Sequence, residues 1–388
     1  MRKFLHLLCV LFLVMGLCGC TQAEPFTVWM AGYETLENDA ERQVYDTLDA
    51  QVQKLTPEVF VIPEDVSLRR LVQIIDIYCM DHPEVFWINE QMSLDTQGLD
   101  QGSVRLVYRY EGEILQKMKE AQEEAIQSFL APIAPDASAY EKELAVNEWI
   151  INHAEYDHDA VRDNQYNVEN VCYGYCALVD GRAICEGYAK AFKILCDRAA
   201  VPCTLVLTRM LDNGIGHMLN AVQLDGEWYY ADVTNNDHEQ YCPAVEHMRY
   251  LNETEEMLLK RMSIEPTYAE SSTDTRNMLH NIFVPSCTSE EYNCLMRGIP
   301  EMSVNRYNEE IIPAAAEAAR SGKTWFALRV PEEEDYEDFR TWMFEDNHIR
   351  DFLQSVSMQD GVPALDIDAN GCWVRAFRLI GVNLIVKE

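Results

Sequence analysis

A chain of 388 residues, 48% hydrophobic and 25% charged, is too long for one ordinary core and too apolar for wholesale disorder, so two or three globular domains are expected. With 31 Lys and Arg against 65 Asp and Glu, the formal charge is −34. Such a surface repels phosphate backbones, which excludes nucleic acid as an expected partner.

The chain opens MRKFLHLLCVLFLVMGLCGC, with two cations, an apolar run from Phe4 to Leu17 and small residues before Cys20. The run is too short and wrongly flanked for an ordinary membrane span and reads as a secretory signal over residues 1–20. Leu17-Cys18-Gly19-Cys20 resembles the lipobox of bacterial lipoproteins, in which the last cysteine is lipidated and becomes the mature N-terminus. The plainer reading is an ordinary signal cut nearby. Both put the body outside the cytoplasm, and the first tethers it to the cell membrane through Cys20. Disulfides are chemically possible there. A Cys172–Cys176 or Cys176–Cys203 bridge therefore stands open beside reduced thiols.

Residues 21–112 read as a small α/β module. Ala40, Val44, Tyr45 and Leu48 recur at helical spacing, Val66 to Met80 gives a second helix, and SVRLVYRY, Ser103 to Tyr110, alternates as a strand. The polar helix Glu113 to Leu130, closed by Pro132 and Pro135, is the expected linker over residues 113–137. Ser138 to His153 is helical and opens a central domain over residues 138–285. Beyond it, helix-like Tyr307 to Arg320, strand-like Thr324 to Val330, helix-like Tyr336 to Leu353 and strand-like Trp373 to Val386 make residues 286–388 a third α/β unit. The fold class expected is α+β.

Only the middle of the chain announces chemistry. In GRAICEGYAKAF, Gly181 to Phe192, the apolar positions Tyr188, Ala189, Phe192, Leu195 and Cys196 follow Cys185 at offsets of one helix face, and Pro202 ends the run. Cys185 thus falls in a first helical turn, where unsatisfied N–H groups and the helix dipole favour an anion. An ordinary thiol, with a pKa of about 8.5, is only a few per cent thiolate at neutral pH, so such a position matters for a nucleophile. Gly187 leaves room for a substrate backbone to approach. Taken alone, the cysteine is as well explained as a buried member of the apolar stripe.

Downstream, HMLNAVQL, His217 to Leu224, meets Asp225-Gly226 and then EWYYADV, Glu227 to Val233. Asp-Gly between apolar runs is a strong two-residue hairpin signal. It pairs Leu224 with Glu227 and, continued, Leu219 with Asp232, which makes His217 and Asp232 diagonal neighbours on one face. A cysteine at a helix N-terminus, a histidine and an aspartate in this order form a nucleophile, a general base and its orienter. The Cys185 backbone N–H is one candidate oxyanion donor.

GRAICEGYAKAF, GHMLNAV and DGEWYYADVT closely resemble the transglutaminase-like superfamily, particularly bacterial transglutaminase/protease-like domains. The resemblance covers residues 138–285 and includes YCALVDG, Tyr175 to Gly181. It implies a papain-like core with smaller α/β modules on either side, a Cys185, His217 and Asp232 triad, and cleft or oxyanion positions at Tyr175, Gly187 and Asn220. The chain departs from the family pattern at Met218 and Leu219, which displace Asn220 by one position, at Asn235, where tryptophan is usual, and at Cys176, in place of glycine.

These readings converge on an extracytoplasmic, lipid-anchored thiol enzyme that forms a thioester on peptide or isopeptide amides. Water would resolve it in a peptidase or deamidase, and an amine in a transglutaminase-type cysteine acyltransferase; the same three residues serve both. Protein or peptide, including cell-wall peptide, is the expected partner. The alternative is a non-catalytic surface module whose cleft binds such ligands. A zinc site of Cys172, Cys176, Cys185 and His217 lacks a second closely spaced pair, and no phosphate loop or nucleotide fingerprint is present, so neither metal nor cofactor is expected. Metabolic palmitate labelling is expected to follow Cys20 and to vanish in Cys20→Ala; label retained in that variant would move the anchor elsewhere.

Overall fold

The computed structural model describes residues 29–55, 59–88, 94–95, 103–163, 171–237, 243–267, 280–367 and 370–387. The expected signal, Cys20 and Cys242 lie outside the described residues.

The N-terminal part begins with α1 (Asp39–Lys54), which starts where the Asn38 side chain accepts from the Glu41 N–H and thereby satisfies an orphan donor of the first turn. It continues through β1 (Val59–Val61), α2 (Leu68–Asp81), β2 (Leu94–Asp95) and β3 (Ser103–Leu106), the strands forming a sheet in the order β1-β3-β2. Leu48, Leu71, Ile74, Tyr78, Phe86 and Trp87 fill its core.

The next helix, α3 (Gly112–Leu130), is not the free polar linker expected. It buries Leu115 in the N-terminal core and Ile126 and Phe129 in the central one, so it is a wall shared by both. The central part then runs α4 (Ala139–His153), β4 (Glu155–Tyr156), α5 (His158–Arg162), β5 (Arg182–Ala183), α6 (Cys185–Arg198), β6 (Cys203–Met210), β7 (Gly216–Leu224), β8 (Glu227–Ala231), α7 (Val233–Asn236), α8 (Pro243–Glu246), β9 (Leu251–Glu253), α9 (Glu255–Leu259) and β10 (Met262–Ile264). A capping box between Ser138 and Glu141 fixes the start of α4. Five antiparallel strands form a sheet in the order β10-β6-β7-β8-β9. Tyr188, Phe192 and Leu195 of α6 pack with Val222 and Tyr229 of this sheet and with Val146 and Ile150 of α4. The C-terminal residues add a three-stranded antiparallel sheet and helices around Ala315, Phe326, Phe352 and Ile380. The architecture is α+β.

Three contacts seat the N-terminal part against α6, which carries Cys185, and against the segment that precedes it. Lys193 of α6 donates to Asp197 at 2.8 Å and to the Trp29 carbonyl at 3.0 Å. Arg109 donates to the Tyr173 hydroxyl at 2.8 Å, and Phe86 packs on Tyr175 with ring centroids 4.6 Å apart.

Glu143 of α4 is wholly buried, and its one hydrogen bond among the described residues is accepted from the Asn252 side chain at 2.8 Å. Burial pushes its carboxyl up to about 8, against the lowering effect of Asn252. A folded-state pKa above the unfolded one means that folding holds a proton which the unfolded chain releases, so stability falls as pH rises from about 4.5 to about 8. Glu143→Gln is expected to flatten this slope and to stabilise the protein at pH 8 by on the order of 1 to 3 kcal/mol. Denaturant midpoints at pH 5 and pH 8 test it; an unchanged slope would show that Glu143 is charged in the fold.

Candidate active site

The short parallel pairing of β4 with β5 sets Glu155 opposite Arg182 and Tyr156 opposite Ala183. From there Ile184, with extended backbone and no side-chain acceptor, leads into α6. The first-turn N–H groups are therefore left without a side-chain cap. Cys185 is half-buried, whereas Cys196, Cys203, Cys287 and Cys294 are buried. The bridges left open in the sequence, Cys172–Cys176 and Cys176–Cys203, are not formed. Among the described residues no three His, Cys, Asp or Glu side chains are grouped as metal ligands.

The β7–β8 hairpin has the predicted register, from Leu224 opposite Glu227 to Asn220 opposite Ala231. Asp225 and Gly226 form the turn with φ of 49° and 91°, the left-handed pair that a tight hairpin requires. The continued pair of Leu219 with Asp232 is not made, because the chain leaves the ladder after Ala231. The Asp232 N–H donates to the Tyr250 carbonyl at 2.9 Å, and its carboxylate caps α7 from the Asn235 N–H at 3.2 Å. The carboxylate still meets the histidine: His217 Nε2 lies 3.0 and 3.1 Å from the two Asp232 oxygens. With Nε2 committed there, Nδ1 is the nitrogen left for the Cys185 thiol, which is close enough to interact with the ring.

Burial opposes charge on His217, but the Asp232 carboxylate and then Cys185 outweigh it and push the imidazole up to about 10. Burial likewise opposes charge on Asp232, which is 1% exposed, yet His217 and Arg261 hold its carboxyl well below the usual carboxylate range. A charged imidazolium against a charged carboxylate is thus the stable form of the pair near neutral pH.

Three residues at this site were not singled out by the sequence reading as contributors. The Tyr156 hydroxyl faces the Cys185 backbone N–H, and burial followed by the nearby sulfur pushes its pKa up to about 12. Arg261 donates to Asp232 at 2.9 Å. Asn235, seen in the sequence only as a departure, donates its amide to Asp232 at 2.7 Å. The parallel register of β4 and β5 places Tyr156 and the pairing of β8 with β9 places Arg261, neither with a local sequence signal, whereas the Asn235 contact is a local cap of α7.

The other cleft candidates are placed as follows. Tyr175 packs on Phe86 of the N-terminal part. Asn220 is fully buried and donates to the Ala189 carbonyl at 3.0 Å, stitching β7 to α6. Gly187 does not make room for a substrate: a Cβ there would lie 2.6 Å from the Val171 carbonyl and 3.1 Å from that of Tyr173, so the space is filled by the chain itself.

Residues 127–233 match the family model Transglut_core, the Transglutaminase-like superfamily, and include Cys185, His217 and Asp232. Solved structures that resemble the chain include one described as a TGase, at 16% identity over 38% of this chain and 46% of that one with a TM-score of 0.28. Another is a "Putative Cysteine Protease from Cytophaga hutchinsonii", at 14% identity over 40% and 46% with a TM-score of 0.25. The chain spans a little under half the length of each. No curated protein matches it. The expected resemblance to the transglutaminase-like superfamily therefore holds for this central part.

Gly187→Ala tests the packing at the start of α6. Helix propensity alone favours alanine by about 1 kcal/mol, but the clash is with backbone carbonyls that cannot swing away. A net loss of about 1 to 3 kcal/mol in denaturant unfolding is expected; wild-type stability would show that the space is open.

Proposed function

We propose that the chain is a thiol enzyme that cleaves peptide or isopeptide amides through a thioester on Cys185. What supports this most is one juxtaposition: a half-buried cysteine at an uncapped helix N-terminus faces an imidazole that is hydrogen-bonded to a buried aspartate. In this reading the Cys185 thiolate attacks the amide carbon, and the developing oxyanion meets the Cys185 N–H and the Tyr156 hydroxyl. As the C–N bond breaks, the His217 imidazolium gives its proton to the leaving amine. Water or a second amine then attacks the thioester, His217 accepts its proton, and the thiolate is released. Asp232 holds the ring and stabilises its charged form, without itself taking the proton. We place this chemistry outside the cytoplasm, tethered through Cys20, with protein or cell-wall peptide as the substrate.

Limited iodoacetamide near neutral pH is expected to alkylate Cys185 at least about tenfold faster than Cys196 or Cys203 in the folded, reduced protein. His217→Ala should remove most of that advantage, and Asp232→Asn should weaken it while the fold persists. Peptide mapping of the labelled protein reads the result. Equal rates for Cys185 and the buried cysteines, unaffected by His217→Ala, would replace the enzyme with a peptide-binding module on the same fold.

A further inference from the structure

A guanidinium holds the far side of the Asp232 carboxylate. Arg261 stands in the turn between α9 and β10, donates to Asp232 Oδ2 at 2.9 Å and to Glu253 of β9, and carries its Cζ 4.4 Å from the centroid of the Tyr250 ring. Asp232 is 1% and Glu253 4% exposed, so these contacts are made away from bulk water. Charge alternates along the row Glu253, Arg261, Asp232, His217 and ends at the Cys185 thiol.

Building on the thiol-enzyme reading, we propose that Arg261 is a positioning residue of this site, which fixes the Asp232 carboxylate for His217 and draws part of its charge away from the imidazolium. Opposite charges at hydrogen-bond distance attract far more strongly out of water than in it. An imidazolium facing an uncompensated buried carboxylate is therefore held tightly, and a proton held too tightly is a poor one to give to a leaving amine. Arg261 weakens that hold, because it shares Oδ2 and repels the imidazolium. Glu253 in turn moderates Arg261, and Arg249 acts on Glu253. The charged groups around the pair are thus Cys185 from α6, Arg261 from the α9–β10 turn, Glu253 from β9 and, behind it, Arg249. Asn235 supplies an uncharged donor to the same oxygen at 2.7 Å. A purely structural arginine would tie β9 to the turn without setting the proton affinity of His217.

Two substitutions separate the readings. Removing the cation in Arg261→Met leaves Asp232 wholly to His217 and is expected to raise the imidazole titration by about one pH unit; removing the anion in Glu253→Gln leaves Arg261 undivided and is expected to lower it by about half a unit. NMR titration of the His217 ring in the full-length protein measures both. The alkaline limb of Cys185 alkylation should move with them. Shifts of opposite sign support the inference. No shift, or shifts of one sign, overturn it, and if Arg261→Met does not fold, the absence of a downward shift in Glu253→Gln overturns it alone. The ring titration does not depend on turnover, so slow labelling of Cys185 in the wild type ends the enzyme reading while leaving the Arg261 result separately measurable.

Discussion

The Asp232 carboxylate is a negative charge taken almost wholly out of water, and most of the site follows from how that charge is accommodated. An isolated buried carboxylate would be protonated instead. Here it accepts from His217, Arg261, the Asn235 amide and the Asn235 N–H, which fills its lone pairs and keeps it ionised. That requirement explains why the chain leaves the β7–β8 ladder at Asp232: a residue still paired in the strand could not also cap α7. It also explains why the imidazole is fixed. A ring hydrogen-bonded to both carboxylate oxygens has one orientation, and that orientation points its other nitrogen toward α6.

The helix end supplies the second half of the arrangement. Cys185 lies where β5 hands over to α6, and the segment at Val171 to Tyr173 lies so close that position 187 accepts no side chain larger than hydrogen without displacing backbone. Ile184 donates its N–H to the Val171 carbonyl at 3.1 Å, so the turn before the nucleophile is fixed by pairing as well as by packing. Tyr156 arrives beside the same turn through the β4–β5 pairing. Three separate stretches of the chain therefore define the position of one sulfur atom, which is the condition for a preorganised nucleophile.

Much of this was legible in the sequence where local rules apply. The Asp225-Gly226 turn fixes a register, and the two-residue strand period then carries that register to His217 and nearly to Asp232. The stripe from Tyr188 to Leu195 and the stop at Pro202 mark α6. What was not legible depended on partners that the sequence does not name. A glycine beside a cysteine reads equally as space for a ligand or space for the chain, and only the position of Val171 decides. Asn220 lies in a strand motif but points at Ala189. In α3, three core residues are spread thinly among charges, and a sparse stripe of that kind resembles a solvated tether until two cores are seen to meet on it. Arg261 and Glu253 stand at the two ends of α9, and they reach Asp232 only because β9 pairs with β8.

The other end of α6 shows why the N-terminal part is more than a spacer. Lys193 and Asp197 are 1% and 3% exposed, and removing such a pair from water costs more than their mutual attraction returns unless the remaining hydrogen-bonding capacity is met. The main chain of Trp29 meets part of it, with its carbonyl on Lys193 and its N–H on Asp197 at 3.3 Å. A few residues on, Asp81 of α2 accepts from the N–H groups of Gly32 and Tyr33 at 2.9 Å each. The stretch from Trp29 to Tyr33, which turns into a short 3-10 helix at Tyr33–Thr35, is thus held on one side by the helix that bears Cys185 and on the other by the N-terminal helices. Removing it would leave two buried charges short of partners inside the nucleophile helix itself, so the stability of α6, and with it the placement of Cys185, depends on residues more than 150 positions away in the chain.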